Sequence, residues 1–131
     1  MQDQKLRMNS NTYIEEWSTY ALEHSESISD LLLELEKETY QKVLQPRMLS
    51  SPLQGRFLSL LSQLIKPKKI LEIGTFTGYA SLCLAEGLQK GGELHTIDNN
   101  AELVHLQEKY FSRSEYLKNI HTYLGNALDI L

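Results

Sequence analysis

The chain has 131 residues, a net charge of −4, 41% apolar and 23% charged residues, values of one soluble globular domain and not of a disordered chain. Acids and bases are interspersed, so no basic stripe marks a nucleic-acid partner, and the apolar runs are too short to span a bilayer. One cysteine, Cys83, excludes an internal disulfide and fits a reducing cytoplasm; Met1–Lys5 has no apolar segment, so no signal peptide is expected.

Residues 1–11 read as a polar lead-in. Thr12-Tyr13-Ile14-Glu15 has capping-box spacing, which predicts a helix from about Tyr13 to His24. Tyr13, Trp17 and Tyr20 form a helical stripe, for packing or for an oligomer contact. A second helix is expected from Asp30 to Val43, with Leu31, Leu32, Leu35, Tyr40 and Val43 on one side and Pro46 as its stop. Ser51-Pro52 reads as an N-cap and first helical residue. It opens a third helix with an apolar face of Phe57, Leu58, Leu61, Leu64 and Ile65, stopped by Pro67.

From Lys69 the order is β-α-β-α-β. Strands are expected at Lys69–Ile73, Glu93–Ile97 and Ile120–Leu124. Helices are expected from Gly78 to about Gly91-Gly92 and from Ala101 to Phe111, with a helical turn around Ser114–Lys118. Such an order gives parallel strands with right-handed crossovers, an α/β half-sheet. Residues 1–45 form a helical preface and 46–131 a ligand-binding half-domain. A doubly wound sheet reverses strand order beside its first strand, and no strand remains here to supply the reversal. The chain is therefore expected to be truncated, with an open edge that would favour pairing.

The chemistry centres on Glu72-x-Gly74-x-x-x-Gly78. Gly74 lets the backbone turn tightly from strand to loop, and Gly78 allows close helix–strand packing. Glu72 could hold an ammonium and the following helix N-terminus a carboxylate. Twenty-four residues beyond Gly74, the second strand is followed by Asp98, placed to take ribose hydroxyls. The plain alternatives are an ordinary strand-to-helix turn and a helix cap at Asp98; both roles hold if Asn99 or Asn100 caps. Gly125-Asn126-Ala127 forms a third loop on the same rim, with room for a flat ring. No G-x-G-x-x-G is present, which disfavours an NAD-dependent oxidoreductase. His24, His95, His105 and His121 lack metal-ligand spacing, and Cys83 has no evident base partner.

Ile70 to Tyr79, followed by Leu82-Cys83-Leu84-Ala85, resembles motif I of the S-adenosylmethionine-dependent O-methyltransferases of the catechol and caffeoyl-CoA type. Pro46 to Leu58 resembles the segment these enzymes place over the cofactor. The resemblance runs from about Tyr40 to Leu131 and implies the N-terminal part of a Rossmann-like class I methyltransferase fold. It implies that Met48 and Ser50 lie along the methionine, and that Glu72 holds its amino group. It places Gly74, Thr75 and Phe76 beside the cofactor, Asp98 on the ribose, and Asn126 with Ala127 around adenine. Gly78, Ser81 and Asn99 complete the expected cofactor-binding set.

Two positions depart from the family. Ala80 stands where serine usually binds the cofactor carboxylate, a loss of about 1.5–3 kcal/mol, and Ser51 stands where many bacterial relatives have glycine. The family's metal carboxylates and catalytic lysine are expected beyond Leu131. In the intact enzyme a divalent metal such as magnesium would hold two neighbouring hydroxyls of a small catechol-like acceptor, and this chain alone is expected to be nearly inactive. A homodimer is expected. A non-catalytic cofactor-binding or assembly module, associating through the open sheet edge, is the alternative.

Overall fold

The computed structural model describes residues 14–131. Thr12 and Tyr13 of the expected capping box lie outside the described residues. Residues 14–23 form helix α1; Trp17 and Tyr20 are exposed, and Tyr20 stacks on His24, so these two add nothing to the core; Tyr13 of the expected stripe lies outside the described residues.

Helix α2 (Asp30–Lys42) starts at Ser29, whose hydroxyl accepts from the Leu32 N–H. Asp30 in its first turn and Lys42 in its last complement the helix dipole. Leu32, Leu35 and Thr39 are buried, whereas Tyr40 of the expected apolar side is exposed. The helix ends before Val43. Gln45 then takes a left-handed conformation (φ 55°), and Pro46 opens a 3-10 turn over Pro46–Met48. The residue before a proline is disfavoured in the right-handed helical region, which accounts for the break preceding Pro46 by three residues.

Glu38 ties α2 to the far side of the core. Its carboxylate receives Lys109 Nζ and the Tyr110 hydroxyl, each at 2.5 Å, and Lys42 Nζ at 2.8 Å. Those donors, Lys109 first, lower its pKa from 4.5 to about 2. A depressed carboxyl pKa stabilises the fold fully above 4.5 and loses that contribution as pH falls towards 2. Glu38→Gln is therefore expected to flatten the acid limb of stability between about pH 4.5 and 2. Chemical melts of the variant and the parent over that range would check it, and parallel curves would refute it.

Helix α3 (Pro52–Ile65) is capped as its sequence predicts: the Ser51 hydroxyl accepts from the Gln54 N–H at 3.2 Å, with Pro52 next. Ser51→Ala is expected to cost about 1 kcal/mol, measurable by denaturant melts. Its orientation corrects the expectation. Phe57, Leu64 and Ile65 are 57%, 71% and 71% exposed, while Gly55, Arg56, Ser59 and Ser62 face inward. The reason lies in the partner. Against Gly55 the Tyr79 ring and Cys83 leave no room for a side chain. Arg56 pairs with Glu86 through both terminal nitrogens, at 3.0 and 2.7 Å, and Ser62 donates to the Leu84 carbonyl at 2.6 Å.

Strands β1 (Lys69–Ile73), β2 (Glu93–Asp98) and β3 (Ile120–Leu124) form one parallel sheet in the order β1-β2-β3. Register pairs Ile70 with Leu94 and Leu94 with Ile120, the core side of the sheet. On the other side Leu71 and Ile73 of the edge strand are 54% and 63% exposed. Helix α4 (Tyr79–Ala85) follows β1 and is almost wholly buried. It ends at Ala85, not near Gly91-Gly92, because at Gly87 the chain presses on the Ser62–Gln63 backbone. Asn100 caps a 3-10 turn over Ala101–Leu103 that leads into α5 (Val104–Phe111). Residues 115–119 form hydrogen-bonded turns and no helix. Asn126 caps the short α6 (Ala127–Ile130).

Leu32, Leu35, Tyr79, Leu82, Leu94, Leu106, Tyr110, Phe111 and Ile120 share one core, so α2 packs with the sheet and its crossover helices. Among the described residues no helix is long and apolar enough to cross a membrane.

Candidate functional site

The carboxyl ends of the three strands open into one cleft of about 660 Å³. That is where a parallel α/β sheet gathers its loops. After β1, Gly74 turns with φ 97° and donates its N–H to the Ile97 carbonyl at 2.8 Å. Phe76 then adopts φ 50°, a left-handed conformation costly for a non-glycine residue. Two bonds hold it there. Its N–H donates to Asp98 Oδ2 at 2.7 Å, and its carbonyl accepts from Gln107 Nε2 at 2.8 Å.

Asp98 is the hinge point of the site. Oδ1 accepts the Asn100 N–H at 2.8 Å while Oδ2 holds the glycine loop. One carboxylate therefore ties the loops after β1 and β2 together. Each carboxylate oxygen has two lone pairs, so Asp98 keeps acceptor capacity for a vicinal diol. The capping role falls to Asn100, which accepts from the Glu102 N–H at 3.0 Å. On the third loop the Asn126 carbonyl oxygen accepts from the Leu128 N–H at 2.9 Å, leaving the amide NH₂ as the group free to bond a ligand.

Of the residues expected from sequence, Met48, Gly74, Phe76, Asp98, Asn99, Asn126 and Ala127 line this cleft. Ser50, Glu72, Thr75, Gly78 and Ser81 do not. Ser50 lies half-buried just beyond the 3-10 turn. Gly78 caps α4 with φ 96° and lies against the Phe111 ring, which a methyl would strike. Thr75 and Ser81 turn inward: Ser81 donates to Glu72 Oε2, Thr96 donates to the same oxygen at 2.6 Å, and Thr75 bonds Thr96 at 2.6 Å. Burial raises the Glu72 carboxyl above the usual range, the charge of Asp98 adds to the rise, and the two hydroxyls oppose it.

The cleft also includes Leu44, Gln45, Asn100, Glu102 and Leu103, which sequence reasoning did not place there. Asn100 was legible as a cap; nothing in composition marked Glu102 or Leu103. Cys83 is fully buried and its thiol is pushed up to about 11 by burial, which disfavours the thiolate that a nucleophile needs. Among the described residues no group of three His, Cys, Asp or Glu could hold a metal ion.

A family model described as O-methyltransferase matches residues 22–131. The catechol O-methyltransferase of Niastella koreensis is 37% identical over 86 residues, 66% of this chain and 39% of that protein. The SAH-bound methyltransferase PaMTH1 of Podospora anserina superposes with a TM-score of 0.83 at 27% identity, covering 92% of this chain and 53% of that one. The O-methyltransferase of Bacillus cereus in complex with SAH gives 0.79 at 30% identity, covering 86% and 50%. The chain thus spans about half the length of the proteins it matches, or less.

Proposed function

The chain belongs to the O-methyltransferase family, and from that premise we propose that it is the cofactor-binding part of an S-adenosylmethionine-dependent O-methyltransferase. The observation that carries this reading is the Asp98 clamp at the end of β2, set in a cleft that spans all three strand ends. A nucleoside needs an acid for its ribose diol, backbone close by at Gly74, and a flat slot. Asp98 supplies the first, and Phe76, Leu103 and Ala127 wall the slot. Met48 supplies an exposed thioether to the same cleft. Bound S-adenosylmethionine would supply a methyl on a sulfonium for transfer to a hydroxyl oxygen.

The whole protein would act on a small hydroxylated, catechol-like acceptor. The described residues do not fit the divalent metal of such enzymes, so no step of the chemistry passes through one here, and the metal and catalytic groups are assigned to the remainder of the intact enzyme. A cytoplasmic location is supported by the lone buried thiol of Cys83. Homodimerisation is supported by the exposed apolar side of α3 and by the edge of β1, which pairs with no further strand among the described residues, and the solution mass tests it: a clean monomer would remove it.

Calorimetry with S-adenosylhomocysteine and with NAD tests the cofactor reading. Binding of the first and not the second is expected; the reverse would overturn it. Ala80→Ser supplies a finer check. Ala80 sits half-buried in the first turn of α4, and a hydroxyl there would add a charge-assisted bond to the cofactor carboxylate. Affinity for S-adenosylhomocysteine is expected to rise about tenfold. An unchanged affinity would mean the carboxylate lies elsewhere.

A further inference from the structure

Glu72 is the penultimate residue of β1, directly before Ile73 and Gly74 of the cleft wall. Thr96 is its register partner in β2, and Ser81 reaches it from α4. Both hydroxyls donate to the same oxygen, Oε2. Because the Thr96 hydrogen is committed to Glu72, Thr75 must be the donor in the 2.6 Å bond between Thr75 and Thr96. Ser81, Thr96 and Thr75 are all buried. Three hydroxyls are thus ranked behind one carboxylate oxygen, while Oε1 has no hydrogen-bond partner among the described residues. A carboxyl group that accepts two bonds at one oxygen carries any proton on the other.

We propose that Ser81, Thr96 and Thr75 are positioning residues that pin Oε2 of Glu72 and leave Oε1 as the acceptor for the primary ammonium of the ligand's amino-acid end. The proposal rests on the cofactor reading above and deepens it. Ser81 does not replace the serine missing at position 80; it is spent on aiming Glu72. The ammonium and a proton then compete for one oxygen. The raised Glu72 carboxyl, with Asp98 of β2 adding to the rise, brings that competition closer to neutral pH. Cys83 of α4, which feels the Glu72 charge, has its own thiol pushed up to about 11, chiefly by burial.

The test is calorimetry of the 131-residue chain with S-adenosylhomocysteine in two buffers of different ionisation enthalpy, over a pH range bracketing the Glu72 midpoint read by carbon-13 titration of the ligand-free chain. Net proton release is expected on binding, with affinity falling about tenfold per pH unit below the Glu72 pKa. 5′-Methylthioadenosine, which has no amino-acid end, is expected to bind without releasing a proton. Thr96→Val removes a donor from the anion, so it is expected to move the midpoint to higher pH and weaken binding several-fold at pH values around the parent midpoint. Thr96→Ser keeps the hydroxyl and both parent values. Carbon-13 titration of Glu72 in the ligand-free variants reads the same midpoint and shows whether each is folded. Binding of S-adenosylhomocysteine without proton release, or equal midpoints for Thr96→Val and Thr96→Ser, would overturn the positioning role and leave the cofactor reading standing. No binding of either probe would overturn the cofactor reading and the proposal with it.

Discussion

Asp98→Ala is expected to abolish tight cofactor binding, weakening S-adenosylhomocysteine by at least about a hundredfold. Hydrogen bonds to a charged group contribute about 1.5–3 kcal/mol each, and a ribose diol would make two of them to this carboxylate. The same substitution strands two backbone donors, the N–H groups of Phe76 and Asn100. Without them the left-handed Phe76 loses one of its two tethers. Asp98→Asn keeps one acceptor oxygen and is expected to fall between, with a loss of about tenfold. Calorimetry on the two variants separates the contributions. A change of less than about threefold in the alanine variant would show that the acid does not touch the ligand.

The second large effect is on stability. A methyl group at Gly87 would stand 2.1 Å from the Ser62 carbonyl carbon and 2.3 Å from the Gln63 nitrogen. Both are backbone atoms of α3 and neither can rotate away. Overpacking usually costs about 1–3 kcal/mol, and a clash with main chain belongs at or above the top of that range. Gly87→Ala is therefore expected to lose about 3 kcal/mol or more and to lower the melting temperature by on the order of 10 °C. Gly91→Ala is the control. Gly91 has φ 73° with open space around it, so only the left-handed backbone is penalised, at about 1 kcal/mol. Equal losses in the two variants would show that the chain after α4 does not press on α3 at Gly87.

Much of this was legible in the chain. Apolar runs bounded by Pro67 and the Gly91-Gly92 pair announced the strands, and Ser51-Pro52 announced the start of α3, because caps and strand patterns are written locally. The Gly74 turn and Asp98 were legible for the same reason. The facing of α3 was not. A 3.6-residue period says which residues share a side, and Phe57, Leu61, Leu64 and Ile65 do; it does not say what that side meets. Arg56, Ser59 and Ser62 face inward only because Glu86 and the Leu84 carbonyl wait for them across the chain. The partner of Ser81 was hidden for a related reason: a serine beside a glycine loop does not announce in the sequence that it donates to Glu72. The end of α4 was set by a contact at Gly87, while the sequence advertised a later and louder pair of glycines.

Gln45 and Phe76 both line the cleft, both non-glycine and both left-handed. Each such residue costs on the order of 1 kcal/mol that an ordinary conformation would not. A lineage drifting under selection for thermal robustness alone would relax these two positions toward glycine or asparagine. The cleft would then lose the Phe76 ring and the Gln45 side chain from its walls. Durability and the shape of the cleft thus pull on the same two backbone torsions in opposite directions, and engineering for heat tolerance should begin elsewhere in the chain.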